Sequence, residues 1–258
     1  MPHTLLISDL HLCASRPEIN ELFFAFLKNT ASQSETLYIL GDLFDYWIGD
    51  DDIDEGLNGA TVSALAALAD GGTKIYFMHG NRDFLIGEKF ASRARLTLLP
   101  DPTLVTLYDR PTLLMHGDTL CTDDVDYQRF RTQVRDPKWQ QEFLGKPLHE
   151  RRAEVEMLRQ RSEEAKQAKS TAIMDVTPSA VEKTLHEHDW PQLIHGHTHR
   201  PAKHIHVAHG KTRERWVLPD WYTTGGYLYA DRTTLKIVNL RRAKQASKIA
   251  KGHIRHVK

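Results

Sequence analysis

The chain has 258 residues, 40% of them hydrophobic and 26% charged, which suits one large domain, or a domain with an insertion, around a substantial core. Formal net charge is zero, but residues 241–258 hold seven Lys and Arg and no acid, leaving residues 1–240 at −7, and that balance argues against bulk attraction to nucleic acid. No apolar run approaches the roughly 18 residues of a membrane span. Cys13 and Cys121 are too few and too far apart for a disulfide framework, and a reducing cytoplasm is the easier reading.

Thr4 to Ile7 reads as a first strand, closed by Ser8-Asp9-Leu10-His11. The strand is too short for the h-region of a signal peptide, so none is expected. Asp9 and His11 are two apart and, on an extended segment, point to the same side. Pro17 to Lys28 carries Ile19, Leu22, Phe23, Phe26 and Leu27 at helical spacing. Leu37 to Leu40 is a second strand, after which Gly41 halts the apolar run and Asp42, Asp45, Asp50, Asp51 and Asp52 follow. A solvated acidic turn and a metal-ligating strand end are level readings of that stretch taken alone. Leu57 to Leu68 is a helix stopped by Gly71-Gly72. Lys74 to Met78 is a third strand, ending in His79-Gly80-Asn81-Arg82-Asp83.

Leu96 to Leu99 and Leu104 to Tyr108 are short strands, and Thr112 to Met115 is another, ending in His116-Gly117-Asp118. From Asp123 to about Lys169 the character turns helical and charged, with apolar residues concentrated at Trp139, Phe143, Leu144 and Leu148 and thin beyond, at Val155, Met157 and Leu158. This stretch reads as an insertion capping the strand ends or as a plain helical surface layer, and composition does not choose. Thr177 is placed as N-cap of a helix with Pro178 at its first position. Pro191 to Ile194 is a strand ending in His195-Gly196-His197-Thr198-His199. An extended segment points all three histidines one way, but Gly196 permits a turn that excludes one. Trp216 to Leu218, Gly226 to Tyr229 and Leu235 to Leu240 close the domain, and the basic stretch 241–258 is expected to be mobile.

The strand ends together offer Asp9, His11, Asp42, Asn81, His116, His197 and His199. Mixed nitrogen and oxygen donors without a thiolate suit Mn²⁺, Fe²⁺ or Zn²⁺ better than Ca²⁺. Seven donors exceed one site that must also hold water, and they suit two cations sharing one carboxylate. Such cations, roughly 3.5–4 Å apart, clamp an in-line phosphoryl displacement and acidify water. Arg82 is a bidentate phosphate clamp beside them.

The order Asp9-x-His11, Gly41-Asp42, Gly80-Asn81, His116, Gly196-His197-x-His199 resembles that of the calcineurin-like metallophosphoesterases, across residues 9–199. The resemblance implies an α/β fold of two stacked mixed β-sheets flanked by helices, with a dinuclear metal centre at the strand ends. In this chain residues 1–240 would form that domain, with the helical cap insertion at about 123–169. It further implies one cation on Asp9, His11, Asp42 and His199, and the other on Asp42, Asn81, His116 and His197; His195 matches no ligand position. Where many members carry His after the motif Asn, this chain has Arg82.

The runs at 39–51, 79–85, 116–124, 172–176 and 194–201 are closely similar to those of the UDP-2,3-diacylglucosamine hydrolase family, so this likeness spans about residues 4–201. It implies cleavage of the pyrophosphate of UDP-2,3-diacylglucosamine in lipid A biosynthesis, giving UMP and 2,3-diacylglucosamine 1-phosphate, with two Mn²⁺ per chain. It places the protein on the cytoplasmic face of the inner membrane, as a peripheral monomer. Carried over residue by residue, Asp42, Asn81, Arg82 and His197 are catalytic, and the substrate contacts are Asn81, Arg82, Asp124, Ser162, Lys166, Lys169 and His197. Several members have Asn in place of Lys166. A sugar-phosphate leaving group is already a weak base, which fits the missing His. Trp139, Phe143, Leu144 and Leu148 are the expected home of the acyl chains, with Trp47 in the core, and the basic stretch is a candidate contact with anionic lipid. A nucleotide or nucleic-acid phosphodiesterase on the same scaffold is the competing enzyme reading, and a non-catalytic relative of the fold is the competing class.

Overall fold

The computed structural model describes residues 2–54, 56–168, 175–208 and 210–240, with backbone alone at 161–168, 208 and 211. The basic stretch 241–258, expected to be mobile, lies outside the described residues, as do Lys169 and residues 172–174.

Strands β1 (Thr4–Ile7), β2 (Thr36–Ile39) and β3 (Lys74–Met78) alternate with helices α1 (Pro17–Asn29) and α2 (Gly56–Asp70). Helical crossovers bring successive strands back parallel, and β1, β2 and β3 pair in that way. Helix α3 (Glu88–Ala94) leads to β4 (Thr97–Leu99), parallel to β3. The chain then leaves for a second sheet with the antiparallel pair β5 (Thr103–Leu107) and β6 (Arg110–Met115). Three helices intervene, α4 (Val125–Val134), α5 (Pro137–Leu144) and α6 (Leu148–Ala168), in the stretch where a helical excursion was expected. After α7 (Pro178–Glu187) come β7 (Gln192–His195), parallel to β6, and the hairpin β8 (Ala202–Ala208) and β9 (Lys211–Val217). Strands β10 (Gly226–Ala230) and β11 (Leu235–Asn239) return to the first sheet, β10 antiparallel to β1. The sheets therefore run β11-β10-β1-β2-β3-β4 and β5-β6-β7-β9-β8, both of mixed direction.

Period-two alternation assigns the buried side chains. Leu5, Ile7, Leu37, Ile39, Ile75 and Phe77 face α1 and α2, meeting Phe23, Phe26 and Leu65. Their neighbours Leu6, Tyr38, Leu40 and Met78 face the other sheet and meet Leu114, Ile194 and Leu218. On the far side of the second sheet, Leu113, Met115 and Leu193 pack on Val181 and Leu185 of α7. Both faces of each central strand are thus buried, which leaves strand ends as the places for polar chemistry.

Strand β8 was not foreseen, because it is a sheet edge in which Ile205 and Val207 remain exposed and no side buries a continuous apolar face. Thr177 is the N-cap of α7 and Pro178 its first residue, as expected, but the Thr177 hydroxyl caps no helical N–H; it accepts from the Asp123 backbone at 3.3 Å, tying α7 to the start of the preceding helical stretch.

Candidate metal centre

The carboxyl ends of β1, β2, β3, β6 and β7 deliver Asp9, His11, Asp42, Asn81, His116, His197 and His199 to one rim. Extended backbone is not what aims them. Asp9, His11, Asp42, His197 and His199 have φ of 58, 50, 54, 67 and 54°, in the left-handed region, which corrects the simple alternation expected for Asp9–His11 and, at His195–His199, agrees with a turn that leaves one histidine out. Each such turn of a non-glycine residue costs on the order of 1–2 kcal/mol, and strain of this kind collects at functional sites. Two glycines make room for the turns. A Cβ on Gly41 (φ 87°) would stand 2.5 Å from Gly80 Cα, and one on Gly196 would stand 1.9 Å from Ser8 Oγ and 2.4 Å from Asp9 Oδ2.

The donors fall into two groups, Asp9 with His11 and His199, and Asp42 with His116 and His197. In the first, His11 Nε2 and His199 Nε2 converge to 3.4 Å, and Asp9 Oδ1 is 3.4 Å from His199 Nε2. Asp9 Oδ1 is buried without hydrogen-bond geometry to any partner among the described residues. In the second, Asn81 Oδ1 lies 3.0 Å from His116 Nε2 and 2.9 Å from His197 Nδ1. Asp42 stands between the groups, Oδ2 at 3.8 Å from His11 Nε2 and Oδ1 at 3.8 Å from His116 Nε2. Converging imidazole nitrogens and carboxylate oxygens, with one oxygen orphaned, fit two divalent cations astride Asp42.

Burial and neighbouring charge shift the titrating groups of the rim in both directions. Burial lifts the Asp42 carboxyl up to about 7, against the pull of His116. Burial alone would lower His116, but the Asp42, Asp118 and Asp9 carboxylates hold it up at about 9. Burial and then His116 push His197 down to about 3, keeping its ring neutral and able to donate a lone pair. His195 is a different case: it is fully buried, 2.9 Å from Gly196 O and 3.0 Å from Arg215 Nη1, and burial with that guanidinium pushes it down to about 3. It supports the loop and belongs to neither donor group.

Several supports escaped the sequence reading. Asp83 accepts from the backbone N–H of Asp42, Leu43 and Gly80 at 3.2, 2.7 and 2.9 Å, fastening the β2 loop to the β3 loop. Asp118 accepts from Tyr127 Oη at 2.6 Å and from Arg131 Nε at 2.7 Å, while the Tyr127 ring lies 5.8 Å from that of His197. Ser8 Oγ donates to Asp9 Oδ2 at 2.6 Å. The only sequence signal for Ser8, Asp83 and Asp118 was adjacency to a ligating motif; Tyr127 had none.

The rim opens into a cleft of about 640 Å³ between the strand ends and helices α4, α5 and α6. His11, Asp42, Asn81, Arg82, Asp124, His197 and His199 line its polar end. Phe84, Leu85, Phe130, Val134, Trp139, Phe143, Val155 and Leu158 give the lining its mainly apolar character, with Arg131, Arg135 and Arg159 among the polar residues between them. Of the four residues expected to house acyl chains, Trp139 and Phe143 line the cleft, whereas Leu144 is 40% exposed and neither it nor Leu148 lines it. Trp47 is both, 3% exposed in the core and at the cleft wall. Asp124 also caps α4, accepting from Tyr127 N at 3.2 Å. Ser162 and Lys166 are on α6 with side chains outside the description, and Lys169 lies beyond it. The acids after Asp42 have supporting work: Asp45, Asp51 and Asp52 pair with Arg159, Arg151 and Arg152 of α6. Asp50 accepts from Trp47 Nε1, Gly87 N and Phe90 N.

The model of the calcineurin-like phosphoesterases matches residues 2–201. A UDP-2,3-diacylglucosamine hydrolase of Aromatoleum aromaticum is 57% identical over 227 residues, 88% of this chain and 92% of the relative. Hydrolases of the same description from Cellvibrio japonicus and Chromohalobacter salexigens are 49% and 50% identical, covering 92% and 87% of this chain and 98% and 91% of their own lengths. On these matches, and with the fold and rim described above, the chain belongs to the calcineurin-like phosphoesterase family, in its UDP-2,3-diacylglucosamine hydrolase branch.

Proposed function

We propose that the chain hydrolyses the pyrophosphate of UDP-2,3-diacylglucosamine by water attack on the α-phosphorus, releasing UMP and 2,3-diacylglucosamine 1-phosphate for lipid A biosynthesis. One observation carries the reading beyond the names of the relatives: a rim built for two cations opens directly into an apolar cleft. A substrate with a pyrophosphate at one end and two acyl chains at the other matches that polarity. When bound, the cations supply Lewis-acid stabilisation of the phosphoryl oxygens and a nucleophilic water near neutral pH.

The remaining work belongs to side chains. Asp9, His11, Asp42 and His199 would hold one cation, and Asp42, Asn81, His116 and His197 the other. Arg82 follows Asn81 at the cleft wall and stabilises the negative charge gathering on the transferring phosphoryl group. Asn81 and His197 orient that group, since both face the cleft as well as the donor cluster. The departing sugar phosphate needs little protonation, so an arginine serves where an alkoxide leaving group would ask for an acid. Asp124, Ser162, Lys166 and Lys169 are proposed contacts to the substrate's polar parts.

Mn²⁺ is the proposed metal: mixed donors without thiolate admit Mn²⁺, Fe²⁺ or Zn²⁺, and the likeness to the UDP-2,3-diacylglucosamine hydrolases favours Mn²⁺ among them. The proposed setting is the cytoplasmic face of the inner membrane, as a peripheral monomer. No helix among the described residues is long and apolar enough to cross a membrane, so attachment would rest on surface contacts such as the basic stretch 241–258. Mn²⁺-dependent UMP release from acylated UDP-glucosamine, compared with turnover of bis-nitrophenyl phosphate, tests the reading. Cleavage of the simple diester alone would overturn it.

A further inference from the structure

The two donor groups are held by different parts of the fold, and the first is reached by a segment with no place in the mechanism. Between β9 and β10 the chain runs Pro219-Asp220-Trp221-Tyr222. Trp221 is fully buried, edge-on to Phe23 and Phe26 of α1 at 6.3 and 5.6 Å, which anchors the segment. Its backbone N–H donates to Asp9 O at 3.1 Å. Tyr222 then lays its ring 5.4 Å from that of His11, at 28°, and 5.0 Å from that of His199. All three donors of the first group thus touch these two residues.

Arg16 closes the arrangement from the other side. Its Nη1 donates to the carbonyls of Leu10 and His11 at 3.1 and 3.2 Å, and its Nη2 to those of Trp221 and Tyr222. The guanidinium also lies 5.0 Å from the Tyr222 ring centroid. One planar fork therefore bridges the loop after β1 to the loop before β10, a geometry that a lysine's single ammonium does not reproduce. The second group is held otherwise, by Asp83 on the Asp42 loop, Leu40 O on His116 Nδ1 at 2.9 Å, and the Tyr127 ring beside His197.

We propose that Arg16 and Tyr222 form a latch that positions His11 and His199, so that the affinity of one cation of the pair depends on them and that of the other does not. Both are positioning residues, acting on the ligands and not on substrate. The inference rests on the two-cation reading of the rim.

Calorimetric titration of Mn²⁺ into the metal-free full chain, with electron paramagnetic resonance on the same samples, tests it. The unaltered chain should bind two ions and give the spectrum of an exchange-coupled pair. Arg16→Ala and Tyr222→Leu should each weaken one ion about 10- to 100-fold, as loss of a partner behind metal ligands does. The other ion should keep its affinity and give the spectrum of an isolated Mn²⁺. Tyr222 is 45% exposed, so its leucine variant remains informative where Arg16→Ala does not fold. Tyr222→Phe, which keeps the ring, should restore the pair. Both ions weakened alike, or neither weakened, overturns the latch. Fewer than two ions on the unaltered chain is a different failure, of the two-cation reading itself, and takes the latch with it.

Discussion

Asp42 stands between the two donor groups, its two oxygens each 3.8 Å from a ring nitrogen, of His11 on one side and His116 on the other, and is the proposed shared ligand. Asp42→Ala should empty both cation sites together and lower phosphodiester hydrolysis by about 10²–10³-fold or more, read as Mn²⁺ content and initial rate on one preparation. Retention of two ions would remove Asp42 from the bridging position. Its protonation gives a second expectation. Burial raises Asp42 to about 7, and His116, despite its burial, is held near 9 by the carboxylates facing it. Groups with raised values carry protons that a cation must displace. Mn²⁺ affinity should therefore climb as pH rises through 7 and on towards 9, and fall below that window, with proton release visible as a binding heat that varies with the buffer's ionisation enthalpy. A heat independent of buffer would contradict this. At this scale the sequence was readable, since Asp9, His11, Asp42, Asn81, His116, His197 and His199 announce themselves by donor chemistry after short apolar runs. What it concealed was the left-handed backbone that aims five of the seven, because φ is set by loop packing around Gly41, Gly80 and Gly196, not by side-chain alternation.

Among the elements, α6 depends most on distant partners. Its apolar residues are few, and Met157 is exposed, so little hydrophobic burial holds it. Arg151, Arg152 and Arg159 instead grip Asp51, Asp52 and Asp45, and Arg159 lies over the Tyr46 ring at 5.3 Å. Exposed ion pairs stabilise little, but Arg151 is 2% exposed and also donates to Ile48 O. Arg151→Ala should leave that carbonyl unpartnered and loosen α6 by about 1–3 kcal/mol, seen as faster hydrogen exchange of its amides. KM for the acylated substrate should rise while hydrolysis of bis-nitrophenyl phosphate holds. Unchanged exchange in α6 would show that the arginine grip is dispensable. The acidic run after Asp42 is the case where sequence could state composition but not purpose: its partners lie about a hundred residues later, and no local pattern connects Asp51 to Arg151. Strand β8 was hidden for a related reason, since an edge strand without a buried face has no apolar period to read.

Over the whole molecule, stacking two sheets puts five strand ends on one rim and sets helices α4, α5 and α6 against it, so that polar chemistry and apolar shelter share one opening. Recurrence of the strand, Gly and ligand pattern made the rim legible. The cleft was only half legible: Trp139 and Phe143 stood out as an apolar cluster, whereas Phe84, Leu85, Phe130 and Val134 join them only after folding. This shared opening makes acyl length a measurable variable. A methylene transferred from water into the apolar cleft contributes about 0.8 kcal/mol, or roughly fourfold, and part of that should appear in kcat/KM when the chains lengthen within the cleft. Truncating the far wall should blunt the dependence and spare the metals. For Trp139→Ala and Phe143→Ala, we expect a shallower slope of log kcat/KM against chain length, with Mn²⁺ content unchanged, because neither side chain touches a donor group. The slope should flatten in the parent protein once the chain outgrows the cleft. If kcat/KM for the parent is indifferent to chain length from short to long acyl groups, the apolar arm does not hold the substrate, and the acyl chains lie elsewhere.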